Sequence, residues 1–122
     1  MKNEIMYSQD HIWVMMEDSV AVLGLSAYAQ QKLGGLVFLN LPNVGEVFNE
    51  GDVFGDVESI KTVSDLVFPF QGEIIEINES ILDNPENISE KLEDSWLVKA
   101  NVRKFADNLM DGTSYKEYTE QL

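Results

Sequence analysis

One lysine stands out by its setting. It lies in the run Val57-Glu58-Ser59-Ile60-Lys61-Thr62-Val63-Ser64-Asp65, which is nearly symmetric about it and holds no other base. A strand-like segment leads in and another leads out, and each carries an acid and a serine. That pattern predicts a tight hairpin with Lys61 at or near its tip, where an ammonium protrudes into solvent and a modifying enzyme can reach it. A lysine in a turn is more often only a solvated charge. Here, however, the turn is flanked by apolar strand residues where Gly, Asn or Asp would be expected. Something other than ordinary turn chemistry therefore sets the sequence of this tip.

The rest of the chain limits what chemistry is open to it. Its 122 residues carry 22 acids, 8 bases, one His and no Cys, for a formal net charge of −14. Polyanions such as nucleic acid and anionic membrane are disfavoured as partners, and basic docking surfaces are favoured. Without Cys there are no disulfides, thiol nucleophiles or thiolate metal sites. A single His excludes a multi-His metal centre, so no metal site and no catalytic residue is assigned. Any redox chemistry must be borrowed from a cofactor. No apolar segment is long enough to span a bilayer, and residues 1–7 lack the basic-then-apolar pattern of a secretory signal. A cytoplasmic protein is expected.

The elements that must position Lys61 read as short strands with turn signals between them. Residues 12–16 and 19–25 form a first β-hairpin about Glu17-Asp18. Ser26 caps a helix over residues 27–33, and Gly34-Gly35 stops it. Residues 36–41 are apolar on both alternating sets and predict a strand covered on both faces. Residues 44–48 suggest a short strand, and Asn49-Glu50-Gly51-Asp52 a turn. The lysine hairpin occupies residues 53–70, with Val53, Gly55 and Val57 on one face and Leu66, Phe68 and Phe70 on another. Pro69 marks an edge or a bend. Residues 72–78 are a strand, 79–93 short helical or irregular, and 96–102 a last strand. A C-terminal helical segment is expected around residues 103–122, with a Ser114/Glu117 capping box and Tyr115, Tyr118 and Leu122 on one face. A faint echo links Gly45-Glu46-Val47 to Gly72-Glu73-Ile74. With no linker or composition shift, residues 1–122 read as a single domain. It is mainly β, a sandwich or flattened barrel decorated by small helices.

Glu58-Ser59-Ile60-Lys61-Thr62 resembles the lipoylation motif of the glycine cleavage system H-protein family. The likeness runs through most of the chain. Residues 7–14 resemble that family's opening strand, residues 24–33 its first helix, and residues 36–42 with Val44 and Gly45 its next strand and turn. Pro69, Gly72, Glu73, Glu76, Asn78 and Glu79, then Pro85-Glu86 and Trp96-Leu97-Val98-Lys99, match later landmarks. The ordered set is far more specific than the lysine motif alone.

This resemblance implies a lipoyl-type fold (a barrel-sandwich hybrid) with lipoic acid joined to Lys61 as an amide. It implies that Glu58 and Gly72 help the lipoate-attaching enzyme recognise the hairpin. It also implies a monomeric, non-catalytic carrier in which the cofactor supplies the redox sulfurs. Its partners would be glycine decarboxylase, which loads the aminomethyl group of glycine, an aminomethyltransferase, and dihydrolipoyl dehydrogenase. The loaded arm would rest against the protein's own surface. The chain departs from the family at Ile12, where Glu is usual, at Gly35, where Asp is usual, and at Glu93-Asp94-Ser95, where a Gly-rich run is usual. Two other functions stay open on those grounds and on charge. One is an H-like lipoate donor or relay for 2-oxo acid dehydrogenase subunits. The other is an unmodified acidic interaction module. His11 is read as structural, bonded to backbone near the first hairpin. Trp13, Trp96, Phe38, Phe68 and Phe70 are read as core.

Overall fold

The computed structural model describes residues 4–89, 91 and 94–122. Among the described residues, nine strands form two antiparallel sheets. The first contains β1 (Ile5–Tyr7), β2 (Ile12–Glu17), β3 (Val20–Leu25), β5 (Val47–Phe48), β8 (Gln71–Ile77) and β9 (Trp96–Lys104), in the order β1-β2-β3-β9-β8-β5. The second holds β4 (Leu36–Asn40), β6 (Val53–Ser59) and β7 (Val63–Val67), in the order β4-β6-β7. Helices α1 (Ala27–Leu33), α2 (Glu79–Asp83) and α3 (Gly112–Glu120) decorate them, with a 3-10 turn at Pro85–Asn87. Among the described residues the two ladders share no strand, so the flattened sandwich describes the molecule and a closed barrel does not. The longest helix, α3, is far too short and polar to cross a membrane.

The core lies between the sheets. Ile12, Val14, Ala21, Leu23 and Leu25 from one side meet Leu36, Leu39, Phe54, Val57 and Leu66 from the other. Phe68 and Phe70 fill the end of the layer, each fully buried, with their rings edge-on at 4.9 Å. The expected face of Leu66, Phe68 and Phe70 is therefore observed. The chain leaves β7 at Val67, just before Pro69, which has no N–H to extend a ladder. The first hairpin turns at Asp18-Ser19, where Asp18 takes a φ of 58°. Small polar residues such as Asp tolerate that left-handed conformation.

Several expectations give way to tertiary detail. The strand over 36–41 is not covered on both faces. Leu36 and Leu39 are buried while Val37 and Phe38 face solvent. A register shift between Leu36 and Phe38 breaks the simple alternation. The same happens in β6, where a shift between Val53 and Gly55 turns Phe54 and Val57 inward and leaves Val53 exposed. The C-terminal helix starts earlier than the capping box suggested. Asp111 is its N-cap, and the Ser114 N–H donates to Asp111 Oδ1 at 2.8 Å. Leu122 lies beyond that helix, exposed, rather than on the Tyr115 face. Strand β1 was not expected. It is held by pairing with β2 and by mutual backbone bonds between Tyr7 and Met110 of 2.7 and 2.8 Å. The echoed segments are sheet partners, Val47 opposite Glu73 and Phe48 opposite Gly72. Part of the irregular stretch 79–93, and Glu93 of the late acidic run, lie outside the described residues.

Candidate functional site

Lys61 is exposed at the bend between β6 and β7. Two-residue hairpin loops ordinarily need left-handed residues, yet neither Ile60 nor Lys61 has a positive φ. Ser59 supplies the missing chemistry. Its Oγ accepts from the N–H groups of Lys61 and Thr62, both at 3.2 Å, and its own N–H donates to the Thr62 carbonyl at 2.8 Å. A serine hydroxyl folded back on the following backbone is a known turn device. The signal was present in the sequence as a serine at a strand end directly before a Gly-free turn. Ile60, beside the lysine, is 84% exposed.

The tip projects over the end of α1. A Cβ added at Gly34 would lie 3.6 Å from Lys61 Cε. Gly34 has a φ of 79°, and its N–H caps the helix on the Gln30 carbonyl. Among the described residues the ion pairs are Lys99–Glu76 and Arg103–Glu73, and neither engages Lys61. An acyl group needs an amine that is exposed and unpaired, and Lys61 fits such a group.

The two residues expected to mark the hairpin sit apart. Glu58 is on β6, opposite Phe38 on β4 and Val63 on β7. Gly72 is buried in the other sheet, between Phe48 of β5 and Val102 of β9. A Cβ there would meet the Asn101 carbonyl oxygen at 2.6 Å and the Phe70 ring at 3.1 Å. The structure thus gives Gly72 a close-packing reason of its own.

His11 has a side-chain partner rather than a backbone one. The Tyr115 hydroxyl lies 2.6 Å from His11 Nδ1 and 2.7 Å from Ser26 Oγ, and Ser26 Oγ also accepts the Ala29 N–H at 3.2 Å. Burial lowers the His11 pKa from its ordinary value, with Asp10 opposing. The Tyr115 hydroxyl bridges His11 Nδ1 and Ser26 Oγ, donating to one and accepting from the other. This chain of hydrogen bonds fastens α3 to the start of α1. Trp13, Phe68 and Phe70 are core as expected, whereas Trp96 is half-buried beneath the Lys99 ammonium at 5.0 Å and Phe38 is exposed. Ile12, the departure in the first strand, is fully buried among apolar side chains.

The family model described as "Glycine cleavage H-protein" matches residues 5–122. Glycine cleavage system H proteins from two strains of Staphylococcus epidermidis are 42% identical over 118 residues, covering 94% of this chain and 94% of each relative. The crystal structure of a glycine cleavage system H protein from Mycobacterium marinum superimposes with a TM-score of 0.83 at 33% identity, covering 99% of this chain and 98% of that one. Proteins of this family bear lipoate covalently on a lysine. The match spans the hairpin, both sheets and the C-terminal helix, and the chain belongs to the glycine cleavage H-protein family, the lipoyl carriers of that system.

Proposed function

We propose that Lys61 is the residue that carries the lipoyl group, and that this chain serves glycine cleavage as a carrier without an active site of its own. The observation that carries this reading is the exposed Lys61, without an ion-pair partner among the described residues, on a turn held by Ser59. When attached, the lipoyl dithiolane supplies the reversible disulfide–dithiol couple that a Cys-free chain lacks. The chain's own part is presentation. Ser59 orders the backbone on either side of the attachment point. The Lys61 side chain reaches past the end of α1, which closes at Gly34 without a bulky side chain.

The partners would be glycine decarboxylase, the aminomethyltransferase and dihydrolipoyl dehydrogenase, met in turn at high effective concentration because the carried group stays tethered. We assign Glu58 to direct recognition by the lipoate-attaching enzyme, and Gly72 to the same outcome through sheet packing. Residues 1–122 would act as one cytoplasmic domain.

Intact mass after incubation with a lipoate ligase, lipoate and ATP tests the assignment. One lipoyl group on the wild type and none on Lys61→Arg is expected. An unmodified wild type beside a modified control carrier would overturn it. Transfer of the group from Lys61 to a 2-oxo acid dehydrogenase domain by a lipoyl transferase would instead support the relay role.

A further inference from the structure

The outer face of the three-stranded sheet beside Lys61 combines two features that isolated sheets avoid. Phe38, Glu58 and Val63 form one cross-strand row, and Asn40, Asp56 and Asp65 form the other. Phe38 is 49% and Val63 58% exposed, flanking the Glu58 carboxylate, with Ile60 at the adjoining tip. Leu39, Val57 and Leu66 point the other way, into the core. Asp56 stands directly opposite Asp65. Like charges in that position weaken a ladder. Asn40 Nδ2 donates to Asp56 at 2.9 Å, but among the described residues no Lys or Arg pairs with Asp56, Glu58 or Asp65.

We propose that this face is the docking surface of the enzyme that acylates Lys61, and that the enzyme meets it with an apolar centre and a basic rim. The proposal rests on the reading of Lys61 as the lipoyl site. Charge complementarity sets the chemistry of the partner, since a basic rim relieves the repulsion between the carboxylates while an apolar centre covers Phe38 and Val63. Reach sets which partner it is. Before modification the ammonium is only a lysine side chain away from the backbone, so the acylating active site must come against the hairpin itself. Enzymes that later act on the far end of the arm are freed from that constraint by its length.

The test uses the full chain with purified lipoate ligase, lipoate and ATP, following attachment by mass and folding by thermal melting. Phe38→Ser/Val63→Ser is expected to raise the ligase KM for this protein about tenfold with kcat unchanged. Asp65→Asn is expected to raise KM severalfold while raising Tm by about 1–4 °C, a pairing that damage to the fold cannot produce. Val44→Ser removes a similarly exposed apolar side chain outside this face and should leave KM unchanged. Wild-type KM in both face variants, or an equal rise in the Val44 control, overturns the docking face while leaving Lys61 modified. A wild type that is not modified at all overturns the reading of Lys61, and this inference with it.

Discussion

At the tip, two backbone N–H groups share one acceptor, Ser59 Oγ. Ser59→Ala removes it. We expect a loss of about 1 kcal/mol of stability, together with faster hydrogen exchange at the Lys61 and Thr62 amides than elsewhere in β6 and β7. Unchanged exchange there would show that the turn holds without the hydroxyl. Glu58 and Gly72 separate by mechanism. Glu58→Gln touches a side chain with no partner among the described residues, so stability should stay within about 0.5 kcal/mol while attachment slows. Gly72→Ala drives a methyl into the Asn101 carbonyl and should cost about 1–3 kcal/mol. Denaturant titration of both variants beside the attachment rate distinguishes recognition from packing. If Gly72→Ala kept full stability and still lost attachment, Gly72 would be read directly.

At the scale of elements, Tyr115 is the buried residue of α3. It stacks on Tyr7 at 4.4 Å and joins Ser26 to His11. Tyr115→Phe keeps the stack and removes the hydroxyl that joins Ser26 to His11, for an expected loss of about 1–3 kcal/mol. The burial of His11 beside it makes stability depend on pH. Burial, opposed by Asp10, lowers the folded-state pKa of His11. The unfolded histidine therefore takes up its proton first as pH falls through about 6.5. The contribution is complete above that value and is lost below it, until the lowered folded-state pKa is passed. Denaturation midpoints between about pH 7.5 and 5 should fall in the wild type and fall less in His11→Gln. Parallel lines for the two proteins would remove His11 from the account.

For the whole molecule, the proposed acylation of Lys61 would make the net charge of −14 one unit more negative. Docking to basic partner surfaces should therefore weaken as salt rises. Binding of the lipoylated protein to dihydrolipoyl dehydrogenase, measured at about 20 and 300 mM salt, should lose severalfold in affinity. Equal affinities would leave the acidic surface a solubility device only.

Much of this was legible in the chain. Alternating apolar runs, Ser26 before α1, the glycines after it and the symmetric run about Lys61 report local backbone preference, which neighbouring residues largely determine. The ordered motifs from Tyr7 to Trp96 marked the family before any contact was known. What only the tertiary structure decided depends on distant partners. Two bulges shift the inward face of β4 and β6, so Phe38 lies outside and Phe54 inside. Met110 pairs with β1 from far along the chain, and Tyr115 finds His11 across 104 positions. Periodicity cannot anticipate such pairings, because a one-residue slip in register sends every later side chain to the opposite face.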